Sequence, residues 1–119
     1  MQSNLTVTPY RPSFGIKTSN NLINRTSLLC TNTSNTGLYD KFLNKVKQLE
    51  SKGFQDYTID YKLLPKSRNK NERHVLYAYK NGSNPQESIV IAHNSKFSHT
   101  LQEYLNINGD SLVKLIKSK

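Results

Sequence analysis

With 119 residues, a formal net charge of +9 and a single cysteine, the chain reads as one small domain with a long-range attraction for polyanions. One cysteine, Cys30, excludes an internal disulfide and leaves a thiolate metal site short of ligands. No run approaches the roughly 18 consecutive apolar residues of a membrane span, and the first thirty residues lack the apolar core of a secretory signal, so a cytoplasmic protein is expected.

Half of residues 1 to 36 are Ser, Thr or Asn, and the first carboxylate in the chain is Asp40. Such a segment offers few groups to offset the entropy of ordering it, which predicts a disordered N-terminal arm over 1–36 ahead of a basic domain over 37–119. Within the arm, Pro9-Tyr10-Arg11-Pro12-Ser13-Phe14-Gly15-Ile16 combines aromatics, an arginine and stiffening prolines, the composition of a short docking motif or of a plain linker. Its acid-free, Ser-rich character is also shared with organelle-targeting and some export segments. The sequons at Asn4, Asn24, Asn32 and Asn81 are what so many Asn, Ser and Thr residues produce by chance.

Thr36 can cap a helix over about 38–52, in which Leu38, Tyr39, Phe42, Leu43, Val46 and Leu49 share one sector and Gly53 supplies a stop. Tyr57, Ile59, Tyr61 and Leu63 alternate with polar neighbours up to Pro65, the pattern of a half-buried strand. A second strand is expected over His74 to Lys80. The turn-rich Asn81-Gly82-Ser83-Asn84-Pro85-Gln86 then leads into a third around Ser88 to Ala92, making an antiparallel hairpin. Ser95 can cap a helix carrying Phe97, Leu101, Tyr104 and Leu105, and Asp110 can start a last element that is either helix or strand. The expected fold is α+β: a small three-stranded antiparallel sheet packed by two or three helices, in the order α-β-β-β-α-α, behind the arm.

Cations concentrate between the first two predicted strands, where Lys62, Lys66, Arg68, Lys70 and Arg73 face only Glu72. A loop of this composition can set several cations against phosphates, each contact releasing condensed counterions. Lys41 and Lys45 on the first helix, with Lys52, extend the same positive surface if the helix and the loop converge. A solvated loop beside a solvated helix face is the plainer alternative. Tyr57, Tyr61, Tyr77 and Tyr79 admit stacking of unpaired bases, although packing beneath the helices is what strand tyrosines ordinarily do and is the reading favoured.

The order helix, strand, strand, strand, helix over residues 38–106 resembles the double-stranded RNA-binding domain in topology. The resemblance implies duplex contacts from Lys41 and Lys45 on the first helix, from Arg68 and Lys70 in the loop, and from Lys96 at the start of the last helix. Ser95-Lys96-Phe97-Ser98-His99 stands where that family carries Lys-Lys-x-Ala-Lys, and its loop Gly-Pro-x-His is absent.

His74, His93 and His99 are the candidates for proton transfer, with His93 and His99 flanking a strand-to-helix junction beside Asn94, Ser95 and Lys96. No spacing among them dictates a reaction or a metal site, and no glycine-rich phosphate loop is present. The sequence therefore leads to a non-enzymatic binding module without a cofactor, contacting RNA or another polyanion through Lys41, Lys45, Lys66, Arg68, Lys70, Arg73 and Lys96. The competing expectation is a protein-interaction or exported accessory protein that uses the arm motif or a sheet edge.

Overall fold

A computed structural model describes residues 15–52, 56–83 and 87–118. Its elements are β1 (Ile16–Thr18), α1 (Asn20–Thr33), α2 (Thr36–Glu50), β2 (Tyr57–Leu64), β3 (Arg73–Lys80), β4 (Ile89–Asn94), α3 (Phe97–Asn106) and α4 (Gly109–Lys117). The fold is α+β, with four helices and a four-stranded mixed sheet among the described residues. β2, β3 and β4 pair antiparallel in chain order, while β1 pairs parallel with β2. The expected three-stranded antiparallel sheet is thus incomplete at one edge. A parallel neighbour needs a long crossover, and α1 and α2 supply it.

The arm expected over residues 1–36 is corrected over its second half, because residues 15–36 are built into the domain. Ile16 is buried in the core, and Leu22, Thr26 and Cys30, one turn apart on α1, form its buried stripe. Burial also raises the Cys30 thiol pKa above the ordinary value. Ser19 fastens the junction: its amide donates to the Ile59 carbonyl at 2.9 Å, its Oγ accepts from the Leu22 amide at 3.1 Å, and the same Oγ donates to Asp60 Oδ1 at 2.6 Å. Gly15 permits the approach of β1 to the end of α2, since a Cβ there would collide with the backbone carbonyl of Glu50. The expectation for residues 1–14, which include Pro9 to Phe14 of the docking motif, lies outside the described residues.

All four helices contribute to one core. Leu22, Phe42 and Leu49 meet Ile59, Leu76, Ala78, Ile89 and Ala92 of the sheet, together with Phe97, Leu101 and Tyr104 from α3 and Leu112 and Ile116 from α4. Register assigns the faces. Ile59 lies opposite Ala78 and Tyr61 opposite Leu76 on the covered side, so Thr58 with Tyr79, Asp60 with Tyr77, and Lys62 with Val75 belong to the other face, which is uncovered among the described residues. Between β3 and β4 the register shifts at Leu76/Tyr77, leaving Ile91 as the extra residue of a bulge. Val90 and His93, three apart, consequently share the uncovered face, opposite Tyr77 and Val75 respectively.

Helix starts depart slightly from expectation. Asn35, not Thr36, caps α2 by accepting the Leu38 amide at 3.0 Å, and α3 begins after Lys96 with no side-chain cap from Ser95. Asn108 caps α4 through the Ser111 amide at 2.8 Å, which settles the last apolar run as helix. The stop expected at Gly53 falls outside the described residues, and α2 ends at Glu50. Of the hairpin connection, Gly82 takes a positive φ of 86°, the conformation for which glycine is suited.

Two stability tests follow from this core. Leu22→Ala should cost about 2–5 kcal/mol in urea unfolding, whereas a disordered arm would make the substitution neutral. Tyr104 is wholly buried with a hydroxyl that finds no hydrogen-bond partner among the described residues, and burial raises its pKa. Tyr104→Phe removes that unpaired group, so stability should rise by about 1 kcal/mol in the same measurement.

Candidate functional site

The ends of β2 and β4 and the start of β3 lie together at one end of the sheet, and the connection 65–72 is anchored there. Ser67 and Lys70 close it with reciprocal backbone bonds, the Ser67 amide to the Lys70 carbonyl at 2.9 Å and the Lys70 amide to the Ser67 carbonyl at 3.3 Å. Arg68 and Asn69 therefore sit at the tip of a tight turn. At the return to β3, Glu72 Oε2 lies 3.1 Å from His74 Nε2, and His74 Nδ1 lies 2.7 Å from the Tyr61 hydroxyl. His74 is buried, its ring stacks on Tyr61 at 5.8 Å, and Phe97 meets Tyr61 edge-on at 5.0 Å under the Arg25 guanidinium. The one carboxylate of the basic connection is thus drawn toward the core side, and the cations remain outward.

Beside this connection an open depression of about 690 Å³ lies on the uncovered sheet face, with Lys62, Lys70, Arg73 and His93 around an apolar floor that includes Val75 and Val90. Its size is that of a ligand-binding cleft. Lys62 Nζ stands 4.8 Å from the Tyr77 ring centre, and Tyr77 and Tyr79 are neighbours at 6.0 Å. The carboxylate on this face, Asp60, already accepts from Ser19 and from the Tyr61 amide, and the Tyr77 hydroxyl donates to it at 3.4 Å. Partial burial, then Asp60 and then Tyr79, raise the Tyr77 pKa.

The predicted site residues divide between two places. Lys66, Arg68, Lys70 and Arg73 are exposed on or beside the anchored connection, and exposed Lys96 follows Ser95, which lines the depression. Lys41 and Lys45 instead belong to the helical layer, where they line a separate groove of about 550 Å³ with Asn44, Gln48, Gln102 and Asn106. Lys41 is exposed there, but Lys45 is buried, its ammonium donating to the Ile107 carbonyl and lying 5.7 Å from the Tyr104 ring. The connection and α2 do not form one cationic surface, because they belong to opposite sides of the sheet.

The four tyrosines divide in the same way. Tyr57 and Tyr61 pack against the core, whereas Tyr77 and Tyr79 lie on the uncovered face outside it. Val90, Leu64 and His93 were not singled out for the interface by sequence reasoning, since the bulge that brings Val90 and His93 to one face leaves no pattern in the residues. His93 lines the depression and His99 lies on α3, so the two exposed histidines are on separate elements. Among the described residues no group of three or more His, Cys, Asp or Glu is placed to hold a metal ion, and no helix is long and apolar enough to cross a membrane. Comparison with protein-family models, curated proteins and solved structures returned no match.

Desolvation holds the Lys45 ammonium below the usual lysine range near 10.5. The unfolded chain then binds this proton more tightly, so the penalty is fully present below the lowered value and disappears as pH rises toward the ordinary one. Relative to Lys45→Met, the natural protein should gain stability across that alkaline interval in pH-dependent urea unfolding. A flat difference between the two would place the amine in water.

Proposed function

We propose that this protein is a non-enzymatic module that binds nucleic acid, with RNA as the leading ligand, through the uncovered end of its sheet. The observation that carries the reading is the clustering of Lys62, Lys70, Arg73 and His93 around one depression, with Lys66 and Arg68 on the connection beside it. Cations held on a closed turn keep a common position without the ordering cost of a loose loop, which suits them to a row of phosphates. Glu72 is occupied by His74, and Asp60 by Ser19 and Tyr61, so the nearby carboxylates are engaged with the protein itself.

Lys41 and Lys45 drop out of the proposed contact set, because they lie in the helical layer and the Lys45 amine is committed to a backbone carbonyl. The duplex-binding arrangement implied by topology loses its first-helix component in consequence. The contact set becomes Lys62, Lys66, Arg68, Lys70, Arg73 and Lys96, with His93 beside them in the depression.

Fluorescence anisotropy with labelled RNA over a salt series tests the reading. Affinity should fall linearly with the logarithm of salt concentration, and replacing Arg68 and Lys70 together by Gln should reduce that slope by about 1.5. Lys41→Gln should leave it unchanged. Absence of binding at low salt would remove the proposal in favour of a protein partner.

A further inference from the structure

We infer that the ligand is single-stranded, with its bases stacked on the Tyr77 and Tyr79 side of the sheet and its phosphates along the cationic rim. This deepens the nucleic-acid reading and rests on it. Phosphate contact alone accounts for Lys70 and Arg73 but not for the rings farther along β3. The uncovered face presents two tyrosine rings at 6.0 Å with 30° between their planes, with Val90, which is 50% exposed, across from Tyr77, and Leu64, 46% exposed, farther along β2 opposite Arg73.

Neither tyrosine belongs to the buried cluster that the helices cover, so their placement is not explained by the core. A perfect duplex keeps its bases stacked within itself and offers an outer surface mainly of phosphate and sugar, which gains little from flat rings and aliphatic side chains. An unpaired strand has both chemistries at once, because every base has a π-face and every link a negative charge. The uncovered face is composed to match. Lys62 Nζ stands 4.8 Å from the Tyr77 ring centre and joins the aromatic floor to the cationic rim, while Arg73, across from Leu64, and Lys70 continue that rim.

The charge of the surface favours a nucleic-acid strand over an apolar peptide, and its rings favour it over a purely acidic one. Stacking tolerates all bases, so recognition should depend on strandedness more than on sequence.

Anisotropy titrations with a short mixed-sequence RNA strand, its perfect duplex and poly-glutamate distinguish the alternatives. The single strand should bind more tightly than the duplex, and poly-glutamate should compete poorly. Tyr79→Ala should weaken single-strand binding roughly 5- to 150-fold without altering the salt slope, and Tyr79→Phe should restore it. Equal affinity for the duplex, an unchanged affinity in Tyr79→Ala, or ready displacement by poly-glutamate would overturn the stacking assignment while a salt-dependent interaction with the cations still stood. Failure of both strand and duplex to bind would remove the two readings together. Should Tyr79→Ala lose its thermal transition, Val90→Glu at the half-exposed neighbouring position carries the test, and undiminished single-strand affinity in that variant would overturn the inference.

Discussion

A sheet has two faces, and here the four helices are gathered against one of them in a single core. Among the described residues no helix covers the other face, and its own side chains carry the proposed binding. Thr58, Asp60, Lys62 and Arg73 make it wet, while Val75, Tyr77, Tyr79 and Val90 leave an apolar strip between them. On the proposed reading, stability and recognition fall to opposite sides of the same strands. A substitution on the uncovered face can alter binding with little effect on the core, because alternating residues of one strand do not share neighbours.

The division depends on β1 and α1, which close the first edge of the sheet and roof part of the core. Ser19 joins them to β2 through both its backbone and its hydroxyl, and it brings Asp60 to the N-terminus of α1, where a negative charge is stabilised by the helix dipole. The same contact has an electrostatic consequence on the uncovered face. An unengaged carboxylate beside Tyr77 would oppose an incoming phosphate, whereas hydrogen bonds from Ser19, Tyr61 and Tyr77 compensate part of that charge.

Much of this architecture was legible in the residues. The apolar sector of Leu38 to Leu49, the alternation of Tyr57 to Leu63 and the Phe97–Leu101–Tyr104 spacing gave α2, β2 and α3, because each repeats at the period of its element. The stretch 15–36 was hidden by averaging. Its strand has three residues, and its buried helical stripe runs Leu22, Thr26, Cys30, so a threonine and a cysteine stand where a leucine would have marked the face. A close reading for caps could have found it, since Ser19 lies three residues before Leu22. Nothing local could have separated Tyr57 and Tyr61 from Tyr77 and Tyr79, because register between strands, not spacing within them, assigns each pair its face. Lys45 misled for a related reason: helical periodicity places it beside the apolar sector but does not reveal that the chain at Ile107 comes back to receive its ammonium.

Total charge is consequently a weak guide to where a polyanion would sit. Screening limits the reach of an exposed charge to about 10 Å at 0.1 M salt, so a cation matters to a bound phosphate only when the fold keeps it close. Lys45 is withdrawn into the helical layer, and Lys52 is spent on Asp110 at 3.0 Å. The cations between Lys62 and Arg73 are concentrated instead by two local devices, the Ser67–Lys70 turn and the Glu72–His74–Tyr61 chain. Both act on the backbone near the charges and leave the long side chains free to follow a flexible strand. A rigid clamp would fix one phosphate spacing, whereas lysines and arginines on a fixed turn can meet many, as sequence-tolerant stacking on the neighbouring tyrosines would require.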